Sequence, residues 1–219
     1  MNTTAPRADM PPSSALIKLM GVVSLICGLL IVTTHQQTLA PIRHNQEIIL
    51  NETVRELLPG AKKMTSYGVN ASGNLSIVEG AEFSGPRLFA GYDASGVLVG
   101  VVIEGGERGY ADVIRAMFAY SPQKKAIVGF KVTELKETPG LGDKITSDKK
   151  FLTNFKDLDA SLEHPIVTVK NGTKKNRWEI DAISGATISS RAVGRLLQKT
   201  TKEMVPIIQR NMQRIERGN

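Results

Sequence analysis

A chain of 219 residues that is 41% hydrophobic and 22% charged has the makeup of one ordinary globular domain plus an added segment. A formal charge of +7 suits anionic membrane lipid or an acidic partner, while an aromatic content of 5% argues against a base-stacking surface, so nucleic acid is not expected as a partner. The single cysteine, Cys27, excludes a disulfide framework and a Cys-pair metal or redox motif, so any redox chemistry needs a cofactor.

The added segment comes first. Residues 19–32 carry no charge, and residues 15–34 reach the length of a bilayer span if Lys18 snorkels to the interface. This predicts a short leader over residues 1–14, a transmembrane anchor over 15–34 and a globular domain over 35–219. A cleaved signal peptide competes with the anchor, since Thr38-Leu39-Ala40 is a passable small-residue cleavage site; Pro41 directly after it weighs against cleavage. Arg7 and Lys18 against Asp9 make the start slightly positive, which places the N-terminus inside and the domain on the outer face.

Residues 42–58, with Ile42, Ile48, Ile49, Val54, Leu57 and Leu58, read as a helix stopped by Pro59-Gly60. Short β-prone runs follow over 75–78, 87–92, 97–103, 113–120 and 126–135, separated by Gly, Asn and Ser and read as antiparallel strands. Asp93-Ala-Ser-Gly96 and Ser121-Pro-Gln-Lys124 are turns between successive strands. A loop over 137–142 leads to a short amphipathic helix over 147–155 with Phe151, Leu152 and Phe155 inward. Runs 166–170 and 177–183 flank Asn171-Gly172 and read as a hairpin with a longer than minimal loop. The chain closes as helix over 188–217, with Val193, Leu196, Leu197, Met204, Ile208 and Ile215 near one face and Pro206 kinking or dividing it. The fold class is α+β: a single N-terminal transmembrane helix, then one soluble domain with an antiparallel sheet and flanking helices.

The most informative segment is Asp181-Ala-Ile-Ser-Gly-Ala-Thr187. It offers a hydroxyl, Thr187, on a loop of small residues at a helix start, where unpaired amides and the positive end of the peptide dipole stabilise a phosphate. Gly185 and Ala186 leave room for that approach, and Arg191, one turn on, is placed to add a charge-assisted hydrogen bond. The same Ser184-to-Thr187 pattern also reads as an ordinary N-cap with a turn before it. Glu137-Thr-Pro-Gly-Leu-Gly142 is a tight loop with Pro139 fixing its entry and Gly140 and Gly142 around Leu141. Gly105-Gly-Glu-Arg-Gly-Tyr110, with Asp112, fails as a dinucleotide fingerprint because its glycine spacing is wrong.

These three segments, in this order, resemble the FMN-binding domain family, whose flavinylation signature matches Asp181 to Thr187 and whose Glu-Thr-Pro-Gly-Leu-Gly loop matches 137–142 in full. The resemblance implies FMN joined covalently by its phosphate to the Thr187 hydroxyl, with Asp181, Ser184, Gly185, Ala186 and Arg191 around the attachment. Glu137, Thr138, Pro139, Gly140, Leu141 and Gly142 are then expected against the isoalloxazine ring. Tyr110 either packs near the flavin or is a buried structural tyrosine. The implied role is that of an electron-carrying component of a membrane complex coupling redox flow to ion movement. Its implied partners are the other subunits, a flavin transferase and membrane lipid, in a bacterial inner membrane with the domain on the periplasmic side. Two alternatives remain at this level: a membrane-anchored, cofactor-free binding module and a stand-alone secreted FMN reductase. No Gly-x-Ser-x-Gly elbow, Walker loop, Cys-x-x-Cys-His or His-Glu-x-x-His pattern is present, no metal site is expected, and His35, His44 and His164 read as surface residues. The sequons at Asn51, Asn70, Asn74 and Asn171 are read as unmodified.

Overall fold

The structure is a computed structural model that describes residues 13–70, 72–78 and 85–218. Residues 1–12 of the expected leader, with Arg7 and Asp9, lie outside these, as does the His44 side chain. Two compact units divide between Gln46 and Glu47. In the first, Ser13–Leu39 is helix, long and apolar enough to cross a membrane, with residues 13–38 exposed. Helix α1 runs over Ser13–Leu57 with Pro41 inside it. The sequence ends the anchor at residue 34 and begins a second helix at residue 42, whereas one helix runs through both; proline forfeits one helical hydrogen bond at residue 41, and the helix continues past it.

The second unit is built on a seven-stranded antiparallel sheet. Its strands are β1 (Lys63–Val69), β2 (Leu75–Ile77), β3 (Arg87–Tyr92), β4 (Leu98–Arg108), β5 (Val113–Ser121), β6 (Ala126–Glu134) and β7 (Leu158–Asp159), in the order β2-β1-β3-β4-β5-β6-β7. Successive side chains on a strand point to opposite faces, and here both faces are covered. Leu88, Ala90, Val101, Ile103, Ala116, Phe118 and Tyr120 pack in the main core, with Val193, Leu196, Leu197, Val205 and Ile208 of helix α3 (Thr187–Arg210). The alternate residues Phe89, Val102, Met117 and Ala119 pack with Val54 and Leu58 at the end of α1. Double coverage explains why these strands read as continuous apolar runs rather than as strict alternation.

Strand β1 was not expected from the sequence. Only Met64, Tyr67 and Val69 are large and apolar in a strand that begins with Lys63, and it gains its place by pairing with both β2 and β3. Strand β4 runs beyond residue 103 through Gly105 and Gly106. A Cβ on Gly105 would lie 2.6 Å from Thr200 Oγ1 and 2.9 Å from Leu196 Cδ2, so that glycine lets α3 lie close on the strand.

After β6 a 3₁₀ turn (Gly142–Thr146) leads to α2 (Lys149–Thr153), capped by Asp148, whose carboxylate accepts the Phe151 N–H at 2.9 Å. Strands β8 (Val167–Val169) and β9 (Glu179–Asp181) form a separate pair that is parallel, with Val167 opposite Glu179 and Val169 opposite Asp181. This corrects the hairpin expected around Asn171-Gly172. Strands of three residues span only about 7 Å, so the short connecting loop can return to the start of its partner. The last helix divides at Asn211, between α3 and α4 (Met212–Arg217), a turn beyond Pro206.

Candidate functional site

The segment after β9 presents two exposed hydroxyl residues, Ser184 in the turn and Thr187 at the start of the helix. Ala182 and Ile183 are buried, Ser184 and Gly185 exposed, and Ala186 buried again. The Ala186 N–H donates to Ile183 O at 3.1 Å, and Gly185 takes a φ of +82°, a left-handed conformation that a Cβ would strain. Ser190, fully buried, closes this turn from below: its Oγ accepts the Ile183 N–H at 3.1 Å and donates to Ala186 O at 2.8 Å. Thr187 then starts α3 with its side chain exposed.

That helix start has no side-chain cap. Ala186 holds the N-cap position with φ −124° and ψ 34°, no side-chain oxygen accepts from the first-turn amides as a cap, and the first turn contains no acidic residue. Alanine is a poor N-cap, so the first-turn amides face solvent or a ligand. The sequence alternative of an ordinary Ser or Thr cap does not describe this geometry.

The loop after β6 is equally tight. Thr138 O accepts the N–H groups of Leu141 at 3.2 Å and Gly142 at 3.1 Å, with Gly140 at φ +76°. Thr138 and Pro139 are exposed, Gly142 is buried, and Leu141 stands at the tip, 48% exposed. Tyr110 is 66% exposed, so it is not the buried structural tyrosine of the alternative reading.

Glu137 brings the segments together. Its Oε1 accepts the N–H groups of Tyr110 at 2.9 Å and Ala111 at 3.1 Å, and its Oε2 accepts the Ser189 hydroxyl at 2.7 Å. Ser189 lies two residues beyond Thr187, so one carboxylate joins the Tyr110 turn, the 137–142 loop and the start of α3. The large apolar side chains of Tyr110, Leu141 and Ile188, the last 51% exposed, stand on these joined segments. Exposed apolar groups beside polar loops suit a flat, largely apolar ligand.

Ion pairs brace the surroundings. Arg195 on α3 reaches Glu107 Oε1 at 3.3 Å and donates to Arg108 O at 3.0 Å, pinning the helix to the end of β4. Lys136 lies 3.2 Å from Glu134 and 3.7 Å from Asp112. The Val113 N–H, and after it the Lys136 charge, hold the Asp112 carboxyl below the usual carboxylate range.

Asp181, the first residue of the signature, is directed elsewhere. Its Oδ1 accepts the Gly172 N–H at 2.6 Å and its Oδ2 lies 3.6 Å from Lys150 Nζ, so it fixes the loop between β8 and β9. Beside it, Lys174 donates to Asn154 Oδ1 at 3.1 Å; burial pushes this lysine below its ordinary range, against the pull of Asp181 and Glu179. Arg191 is exposed one turn into α3. His35 is exposed, and the exposed His164 stacks on Trp178 with ring centroids 3.9 Å apart. No group of three or more His, Cys, Asp or Glu placed to hold a metal occurs among the described residues. Sequence reasoning did not single out Ser189 and Ser190; their signal was a pair of adjacent hydroxyls in the first turn of the helix.

Over 192 residues the chain is 33% identical to the G subunit of the ion-translocating oxidoreductase complex of Methanosarcina acetivorans, an alignment covering 85% of this chain and 91% of that one. The chain belongs to this family of G subunits. Another member, the G subunit of the proton-translocating ferredoxin:NAD(+) oxidoreductase complex of Clostridium ljungdahlii, is 25% identical over 190 residues, covering 87% of this chain and 90% of that one. The FMN-binding domain family model matches residues 109–202, which take in the Tyr110 turn, the 137–142 loop and the Thr187 helix start. The crystal structure of NqrC from Shewanella oneidensis shares the fold, with a TM-score of 0.57 over 74% of this chain and 87% of that one at 24% identity.

The site fits FMN on its own geometry. An uncapped helix start with an exposed hydroxyl suits the phosphate, and the exposed apolar Tyr110, Leu141 and Ile188 suit the ring.

Proposed function

We propose that this chain carries FMN as a phosphoester on Thr187 and passes electrons within a membrane complex that couples electron transfer to ion translocation. FMN, when bound, supplies a ring that accepts and releases one or two electrons. The chain's own residues do the placing. The first-turn amides of α3 hold the phosphate, with the Thr187 oxygen as its covalent link and Arg191 as an added positive charge. Ser184, Gly185 and Ala186 leave the approach open. The Glu137-to-Gly142 loop and Tyr110 set the ring against the protein and limit water around it.

A tethered flavin cannot diffuse away, which suits repeated transfer between fixed neighbours. The N-terminal apolar helix confines the flavin near those neighbours and raises its effective concentration there. The slightly positive start supports an inner-membrane orientation with the domain on the periplasmic side. In this reading a flavin transferase loads the chain, lipid surrounds the anchor, and catalysis belongs to the assembled complex rather than to the isolated chain.

The observation that carries the proposal is an exposed threonine hydroxyl at an uncapped helix start, joined through Glu137 to the two other matched segments. The test is to express the full chain with a flavin transferase, denature it and look for flavin fluorescence on the gel band, with Thr187→Ala alongside. A fluorescent parent and a dark variant are expected. A dark parent, with the transferase active on a control substrate, overturns the covalent attachment, and a fluorescent variant moves it to another residue.

A further inference from the structure

We infer that Glu137 is a positioning residue whose carboxylate locks the ring-facing loops to the helix that bears Thr187, so that the flavin seat exists before FMN arrives. The inference rests on the flavin reading of this site.

Three observations carry it. The first is the bond set: two backbone N–H groups of the Tyr110 turn on Oε1 and the Ser189 hydroxyl on Oε2. Tyr110 and Ala111 are exposed residues, so without Glu137 their amides would lie open to water. The second is that glycines of two different segments make room for this one carboxylate. A Cβ on Gly109 would lie 2.4 Å from Oε1, and a Cβ on Gly142 would lie 2.6 Å from Oε2 and 2.8 Å from Ser189 Oγ. The third is position. Ser189 sits in the first turn of α3, two residues from the attachment hydroxyl, whereas Glu137 opens the loop whose tip is Leu141. A carboxylate accepts hydrogen bonds on both oxygens and donates none when ionised, so it can hold two amides and a hydroxyl at once. Glu137 thereby fixes the separation between the phosphate end of the site and its ring end.

Glu137→Ala removes every bond of the clamp. Glu137→Gln preserves them, because its amide oxygen can accept the two N–H groups and its NH₂ can donate to Ser189. Ser189→Ala cuts only the link to the helix. The first measurement is amide hydrogen exchange on the full chain without flavin. Exchange at Tyr110 and Ala111 is expected to be at least about tenfold faster in Glu137→Ala than in the parent, with Glu137→Gln close to the parent. The second is visible-region circular dichroism of the flavin on the loaded chain. The induced signal is expected to fall in Glu137→Ala and Ser189→Ala and to persist in Glu137→Gln, while all three variants keep flavin on the denatured gel band because Thr187 is intact.

Parent-like exchange in Glu137→Ala overturns the clamp. Should that variant fail to fold, Ser189→Ala decides: a parent-like flavin signal overturns the inference and a reduced one sustains it. A parent gel band without flavin overturns the attachment reading instead, and the exchange result still judges the clamp.

Discussion

Ser190→Ala tests whether the turn before Thr187 is held from inside the protein. The Ser190 hydroxyl is fully buried and joins the two ends of that turn, accepting from Ile183 N–H at 3.1 Å and donating to Ala186 O at 2.8 Å. Its loss affects the two ends unequally. Ala186 O keeps the Ser190 backbone N–H at 2.9 Å, but the Ile183 N–H loses its acceptor at a residue only 6% exposed. Leaving a buried amide unpaired costs about 1–3 kcal/mol, and the serine-to-alanine change leaves no cavity beyond one oxygen. Taking about 2 kcal/mol, the melting temperature of a domain this size should fall by about 4–8 °C. The assay is thermal unfolding of the full chain in detergent, followed by far-ultraviolet circular dichroism. Thr187→Ala serves as control: it removes an exposed hydroxyl and should stay within about 0.5 kcal/mol of the parent. Ser190→Ala should still accept covalent flavin, at a reduced loading rate. A Ser190→Ala melting temperature indistinguishable from that of Thr187→Ala would refute the reasoning, because the Ile183 amide would then not depend on Ser190.

Two other positions make separate predictions. Glu179 accepts the N–H groups of Lys175 at 2.7 Å and Asn176 at 3.0 Å, which hold its carboxyl below the usual glutamate value of 4.5. A depressed carboxyl contributes stability that is complete above its unfolded pKa and is lost as pH falls through the folded one, so acidification below about pH 4.5 should destabilise the parent more steeply than Glu179→Gln; melting curves with parallel pH dependence would count against this. Gly194→Ala would place a Cβ 2.1 Å from Thr168 Oγ1, and the clash should cost about 1–3 kcal/mol, more than the roughly 1 kcal/mol that alanine gains in helix propensity. Adding Thr168→Ala should recover most of the loss, and strict additivity in the double-mutant cycle would show that the two residues do not collide.

Much of this protein is legible because its signals are short-range. The apolar run over residues 87–92 coincides with β3, Pro59-Gly60 follows the end of α1, and Asp93 closes its turn by accepting the Ser95 and Val97 N–H groups at 2.8 and 2.9 Å. Periodicity, helix stops and turn chemistry depend on residues within a few positions of one another, so a linear reading reaches them. The match of Asp181 to Thr187 and of 137–142 to a known family pointed to flavin from motif likeness; the physics of a helix start alone favoured an ordinary cap.

Tertiary structure decided where those signals lead. Lys63–Val69 is a strand because β2 and β3 flank it, and β8 and β9 run parallel because strands so short let a brief loop return. Asp181 turns to Gly172 and Lys150 rather than toward Thr187. Glu137 meets amides 26 and 27 residues before it and a hydroxyl 52 residues after it. Sequence by itself determined which residues could make a turn, a strand or a helix start. Which side chains meet across such separations depends on sheet register and on how α3 lies against β4, and those are set by packing of the whole core rather than by any local pattern.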